Sequence, residues 1–179
     1  MIIIYAGSAS GKSKIAEDMA VDIAKKRGTS LVYIATMESN SEEAKRRIRK
    51  HREAREGKGF YTIEEPFRLV THAFSVRNKT VLIECMSTYC SNIYFKKKGT
   101  ETASANEIYE MAENIVTQVM KLKESAYELV IVTNNLFDDG VIYDEWTESY
   151  LQLLAIVNSN LTKECDRFIE VVDGFSIEY

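Results

Sequence analysis

Near the start of the chain, Ala6-Gly7-Ser8-Ala9-Ser10-Gly11-Lys12-Ser13 brings together the residue types that hold a phosphate. Gly7 and Gly11 let the backbone curl so that its N–H groups point at anionic oxygens. Lys12 can reach terminal phosphates, and Ser13 can place a hydroxyl on Mg²⁺. Alanine stands at position 6, where glycine usually opens such a loop. An apolar run, Met1 to Tyr5, precedes the loop, and a helical pattern from Lys14 to Arg27 follows it. A helix start there adds its partial positive charge, so the stretch predicts binding of a nucleoside triphosphate.

Two further groups could act on such a ligand. Glu84 closes the apolar run Val81-Leu82-Ile83, where a carboxylate can hold Mg²⁺ or one of its waters. His51 lies in a cationic stretch, with seven Lys or Arg among residues 45–55. A neutral imidazole is a nucleophile, and Arg47 and Arg55, one turn away on either side, would bind the phosphates it attacks. From the residues alone, a solvated histidine on a charged helix is the simpler reading of His51. His72 has no such setting and reads as structural.

These groups need a scaffold. Leu31 to Ala35, Thr80 to Glu84 and Glu128 to Thr133 are short apolar runs, the form of strands buried in a parallel sheet. Helical patterns run from Ser41 to Arg55, about 66 to 76 with Pro66 in the first turn, 87 to 98, 103 to 125 and 145 to 162. Phe60 to Glu64 reads as extended, and Asp138-Asp139-Gly140 as a loop. Arg167 to Val172 and Phe175 to Ile177 close the sheet around Asp173-Gly174. Strands alternating with helices predict an α/β fold of the P-loop NTPase kind, with a mostly parallel sheet flanked by helices. Ligands of such sheets bind beyond the carboxyl ends of the strands. That rule gathers Ala6–Ser13, Thr36-Met37, Glu84-Cys85 and Asn134-Asn135 into one site.

Composition narrows the options. A chain of 179 residues with 45% hydrophobic content suits one domain with a real core. A net charge of −4, and no aromatics within the basic helix, argue against a nucleic-acid polymer as partner. No run is long enough to span a membrane, and the five-residue apolar start lacks the basic flank of a signal peptide. Three cysteines without C-x-x-C spacing predict neither a disulfide framework nor a zinc site, and a cytoplasmic protein with reduced thiols is expected.

The chain also resembles the bifunctional adenosylcobinamide kinase/adenosylcobinamide-phosphate guanylyltransferase family of cobalamin biosynthesis. The likeness rests on the opening loop, Tyr33-Ile34-Ala35-Thr36, Arg47-Ile48-Arg49-Lys50-His51, Thr62-Ile63-Glu64, Leu82-Ile83-Glu84-Cys85, Val132-Thr133-Asn134 and Val157-Asn158-Ser159-Asn160-Leu161, in that order. It implies phosphorylation of adenosylcobinamide and transfer of GMP from GTP through a GMP–histidine intermediate, with His51 as the nucleophile. It further implies nucleotide contacts from residues 6–13, Ala35, Thr36, Met37, Arg52, Glu53, Ala54, Arg55, Glu64 and Glu84. GTP, ATP and Mg²⁺, a small-molecule corrinoid and a homo-oligomer come with it. Departures stand at Glu53-Ala54-Arg55-Glu56, Asn134-Asn135-Leu136-Phe137 and Gly140-Val141-Ile142-Tyr143, where the family has Gly-Arg-Pro, Asn-Glu-Val-Gly and Gly-Ile-Val-Pro. A P-loop small-molecule kinase without guanylyltransferase activity, or a nucleotide-binding regulator without turnover, are the alternatives.

Overall fold

The computed structural model describes residues 1–137 and 140–179. Asp138 and Asp139 of the expected loop lie outside them. The chain runs β1 (Ile2–Ala6), α1 (Lys12–Arg27), β2 (Leu31–Ala35), α2 (Glu42–Arg55), β3 (Phe60–Glu64), β4 (Thr80–Glu84), α3 (Met86–Lys98), α4 (Ala105–Ser125), β5 (Glu128–Asn134), α5 (Glu145–Lys163), β6 (Arg167–Val172) and β7 (Phe175–Glu178). Among the described residues seven strands form one sheet in the order β3-β2-β4-β5-β1-β6-β7. All pairings are parallel except β6 with β7, which close as an antiparallel hairpin. The expected α/β architecture is therefore the observed one. Among the described residues no helix is long and apolar enough to cross a membrane.

Strand alternation divides the core. Ile3, Ile34, Ile83 and Ile131 face one side, where α3, α4 and α5 cover them. Ile4, Tyr33, Leu82 and Val132 face the other, against the alanines of α1 (Ala16, Ala20, Ala24). Alanine lets α1 lie close to the sheet, which brings the loop before it to the strand ends. The register aligns Ala35 with Glu84 and Glu64, Glu84 with Val132, and Ala6 with Asn134. The carboxyl ends of five strands thus meet at one rim.

One expected helix is absent. Residues 66–76 form turns around a single 3₁₀ turn, Leu69–His72. Glu65 explains this. Its carboxylate accepts from the Phe67 and Arg68 N–H groups at 3.0 and 2.8 Å, and its other oxygen lies 2.9 Å from His72 Nε2. A side chain that takes these donors directs the backbone into a tight turn. Asn92 completes it, donating from Nδ2 to the Pro66 carbonyl at 3.1 Å.

Burial alone would raise the Glu65 carboxyl, but the Phe67 and Arg68 N–H groups and the His72 ring outweigh it and hold it below its usual value. A depressed carboxyl contributes stability above its unfolded-state pKa, lost as pH falls through the folded one. Glu65→Gln should therefore lower the urea midpoint at pH 7 and cost progressively less as pH falls through the acid range, measured as midpoints across a pH series.

Candidate active site

The phosphate loop runs from β1 into α1. Gly11 takes φ +85° at the helix start, a left-handed conformation that glycine adopts without strain. Helix α1 then begins at Lys12, so Lys12 and Ser13 stand in its first turn. The Lys12 ammonium folds back on the loop and donates to the Gly7 carbonyl at 3.0 Å. Burial lowers its pKa from the usual lysine value, against the upward pull of Cys85 and Glu84.

Glu84 is the centre of the rim. Ser13 Oγ donates to its Oε1, and Tyr33 OH donates to its Oε2 at 3.0 Å. Burial and the neighbouring carboxylate push the Tyr33 phenol up, so it stays a donor. His51 brings Nδ1 to 3.7 Å from Glu84 Oε1. The loop, the strand-end carboxylate and the cationic helix meet at this rim.

Helix α2 approaches through polar contacts. Ser41 caps it by accepting from the Ala44 N–H at 3.1 Å, and Arg55 is its only buried residue. The Arg55 guanidinium stacks 3.5 Å over the Tyr33 ring and is 6% exposed. Its Nε and Nη1, like Ser10 Oγ, are buried without a hydrogen-bond partner among the described residues. Buried donors of this kind are expensive unless something accepts from them, and an anionic ligand would. Arg52 pairs with Glu64, and Lys58 beyond the helix reaches Glu17 Oε2 at 2.8 Å and Asp18 Oδ1 at 3.2 Å.

These groups enclose a cleft of about 780 Å³. Of the residues expected at the site, Ser8, Ala9, Ser10, Gly11, Lys12, Ser13, Ala35, Met37, His51, Arg52, Ala54, Arg55, Glu64 and Glu84 line it. Asn134 lines it as well. Ala6 is buried in β1, and Gly7 takes part through its carbonyl. Glu53 lines a neighbouring depression instead. Thr36 is fully buried beneath the rim, its hydroxyl within 3.0 Å of the Glu84 carbonyl and 2.9 Å of the Cys85 carbonyl.

Glu17, Lys58 and Thr88 also line the cleft and did not stand out in the sequence. Glu17 carries a faint signal, since it falls four residues after Ser13 and so on the same helix face. Lys58 and Thr88 carry none.

Residues 2–179 match the family described as cobinamide kinase / cobinamide phosphate guanyltransferase. The chain is 32% identical over 174 residues to the bifunctional adenosylcobalamin biosynthesis protein CobP of Pseudomonas aeruginosa, covering 96% of this chain and 92% of that one. It is 26% identical over 184 residues to the corresponding CobU of Escherichia coli, covering 99% and 98%. Among solved structures, a KaiC-like protein of Pyrococcus horikoshii OT3 is similar at 12% identity with a TM-score of 0.46, over 94% of this chain and 69% of that one.

The Thr36 hydroxyl yields a prediction about the rim itself. Thr36→Val keeps the shape and removes the donor to the carbonyls on either side of the Glu84–Cys85 bond. It should cost about 1 to 3 kcal/mol, read as a lower urea midpoint at unchanged slope, and Thr36→Ser should restore most of it.

Proposed function

The chain belongs to the cobinamide kinase / cobinamide phosphate guanyltransferase family, and from that premise we propose how its cleft divides two transfers between one phosphate loop and one histidine. The protein is a transferase of cobalamin biosynthesis that phosphorylates cobinamide and transfers guanylyl to cobinamide phosphate. The mechanism and its residues are our reading. His51 carries it: its imidazole stands 3.7 Å from Glu84 Oε1 in the same cleft as the loop, with Arg55, whose Nε and Nη1 have no hydrogen-bond partner among the described residues, one turn further along α2.

In the first transfer the loop from Gly7 to Ser13 cradles the triphosphate of ATP or GTP, and Lys12 leaves Gly7 to meet the terminal phosphates. The corrinoid hydroxyl attacks the γ-phosphorus. Its O–P bond forms, the bond to the β-phosphate oxygen breaks, and the hydroxyl proton is released. In the second, a ring nitrogen of His51 attacks the α-phosphorus of GTP. The N–P bond forms, the P–O bond breaks, pyrophosphate leaves, and the ring gives up its proton. The cobinamide phosphate oxygen then attacks the same phosphorus, the new P–O bond forms as the N–P bond breaks, and the ring takes a proton back to regenerate the neutral imidazole. A covalent intermediate splits one hard displacement into two easier ones.

Glu84 faces Nδ1 at 3.7 Å, and a shorter approach when nucleotide binds would hold the proton there and leave Nε2 as the attacking atom. Arg55 and Ser10 supply donors that nothing among the described residues accepts from, suited to charge growing on the α-phosphate. Ser13 and Glu84 offer the oxygen donors that Mg²⁺ prefers, and Mg²⁺ bound there would neutralise phosphate charge. The same proposal takes the chemistry to be cytoplasmic, where both nucleotides are supplied, and the chain to be a homo-oligomer.

The two transfers separate at one residue. His51→Asn should abolish acid-labile label from α-labelled GTP while leaving phosphorylation of cobinamide within a fewfold of wild type. Label retained in the variant would overturn the assignment. Loss of both activities in a folded variant would show that His51 serves the loop and not guanylyl transfer alone.

A further inference from the structure

Neither transfer uses Glu17. It is nevertheless one of three ligand-type side chains from separate elements that converge in the cleft. Glu17 on α1, His51 on α2 and Glu84 at the end of β4 each offer an atom within 4.8 Å of the others. The Glu17 and Glu84 side chains are only 3% and 8% exposed. Two carboxylates held this close and out of water favour a cation between them. Lys58 provides one charge at Glu17 Oε2, while among the described residues the Glu84 carboxylate receives only hydroxyl hydrogen bonds, from Ser13 and Tyr33. The Lys12 ammonium feels the Glu84 charge but bonds to the Gly7 carbonyl, so Glu84 has a cation nearby and none bonded to it among the described residues.

The imidazole is uncommitted as well. Its 3.7 Å approach to Glu84 is beyond hydrogen-bond length, and among the described residues no hydrogen bond engages it. Two oxygens and one nitrogen are the donor set of an open zinc site, with water in the fourth position. Ligands of one such ion lie roughly 3 to 3.5 Å apart at metal–ligand distances near 2.1 Å. Side-chain rotation of about an ångström closes the observed spacing to that range. Mg²⁺ favours oxygen donors alone, whereas imidazole suits zinc and its first-row neighbours.

We propose that Glu17, His51 and Glu84 form a site for a borderline divalent cation of the Zn²⁺ class in the nucleotide-free enzyme, and that the bound ion occupies the nitrogen lone pair of His51. The first part stands on the geometry alone. The second rests on His51 being the nucleophile: with Nδ1, the atom facing Glu84, on the metal, the ring proton moves to Nε2, which then has no lone pair for GTP.

Isothermal titration of the nucleotide-free protein with Zn²⁺ tests the site. Wild type and Cys85→Ser should bind one ion per chain, and Glu17→Gln and His51→Asn should each bind roughly tenfold or more weakly. Mg²⁺ in place of Zn²⁺ should show no such binding. Absence of binding by wild type, affinity unchanged in both Glu17→Gln and His51→Asn, or loss only in Cys85→Ser (a thiol site) would overturn it. The wild-type protein offers a check that does not depend on variant folding. The chain has two histidines, and Zn²⁺ should shift the His51 ring resonances and leave those of His72 in place. Shifts at His72 alone would contradict the site. For the second part, Zn²⁺-loaded protein should incorporate label from α-labelled GTP and Mg²⁺ at a rate reduced roughly tenfold, in line with the ligand's contribution to affinity. An unchanged rate with Zn²⁺ bound would overturn the withholding but not the site. Metal-free protein that never labels would instead count against the nucleophile assignment.

Discussion

The carboxylate of Glu84 ties the site together. Its residue pairs in register with Ala35 on one side and Val132 on the other, so its place is fixed by the middle of the sheet. Its two oxygens then accept from Ser13 at the head of α1 and from Tyr33 of β2. Its carbonyl accepts from the buried Thr36 hydroxyl. Hydrogen bonds to a mostly buried carboxylate are stronger than the same bonds in water, and each becomes costly to break. The phosphate loop, the end of β2 and the histidine helix are therefore all positioned against one charged group.

Helix α2 is held in a different way from the others. Helices α1, α3, α4 and α5 bury apolar faces against the sheet, while α2 buries only Arg55. Its place comes from polar contacts: Arg55 on the Tyr33 ring, Arg52 with Glu64, and Lys58 with Glu17 and Asp18. Exposed ion pairs such as Arg52 with Glu64 contribute about 0 to 1 kcal/mol. The buried guanidinium and the Glu17 pair therefore carry most of the anchoring. A cationic helix set over the loop suits a ligand with several phosphates, and Tyr33 serves both sides, as donor to Glu84 and as platform for Arg55.

Much of this was legible in the sequence because it is written in local patterns. Apolar runs marked the strands, and the loop between β1 and α1 carried its own spacing. The segment at 66–76 misled because Pro66 is a good helix-start signal, while the competing signal, a carboxylate at Glu65 able to take two backbone N–H groups, depends on where the chain turns next. Thr36 shows a different limit. Its position at a strand end is legible, but the direction of its side chain, down onto Glu84 and Cys85, is set by the pleat and the neighbouring strand. Glu17 and Lys58 lie 41 residues apart and meet only through the fold. Nothing local in either stretch announces the pair.

The central claim is that His51 is the group on which guanylyl is carried. The most direct measurement is peptide mapping by mass spectrometry of the wild-type protein after incubation with Mg²⁺ and GTP, with digestion and separation kept alkaline so that a phosphoramidate survives. The account predicts a GMP adduct on the peptide containing His51, localised to that ring by fragmentation. An adduct on Lys12, His72 or any other residue, or none in a preparation that transfers guanylyl to cobinamide phosphate, would contradict it.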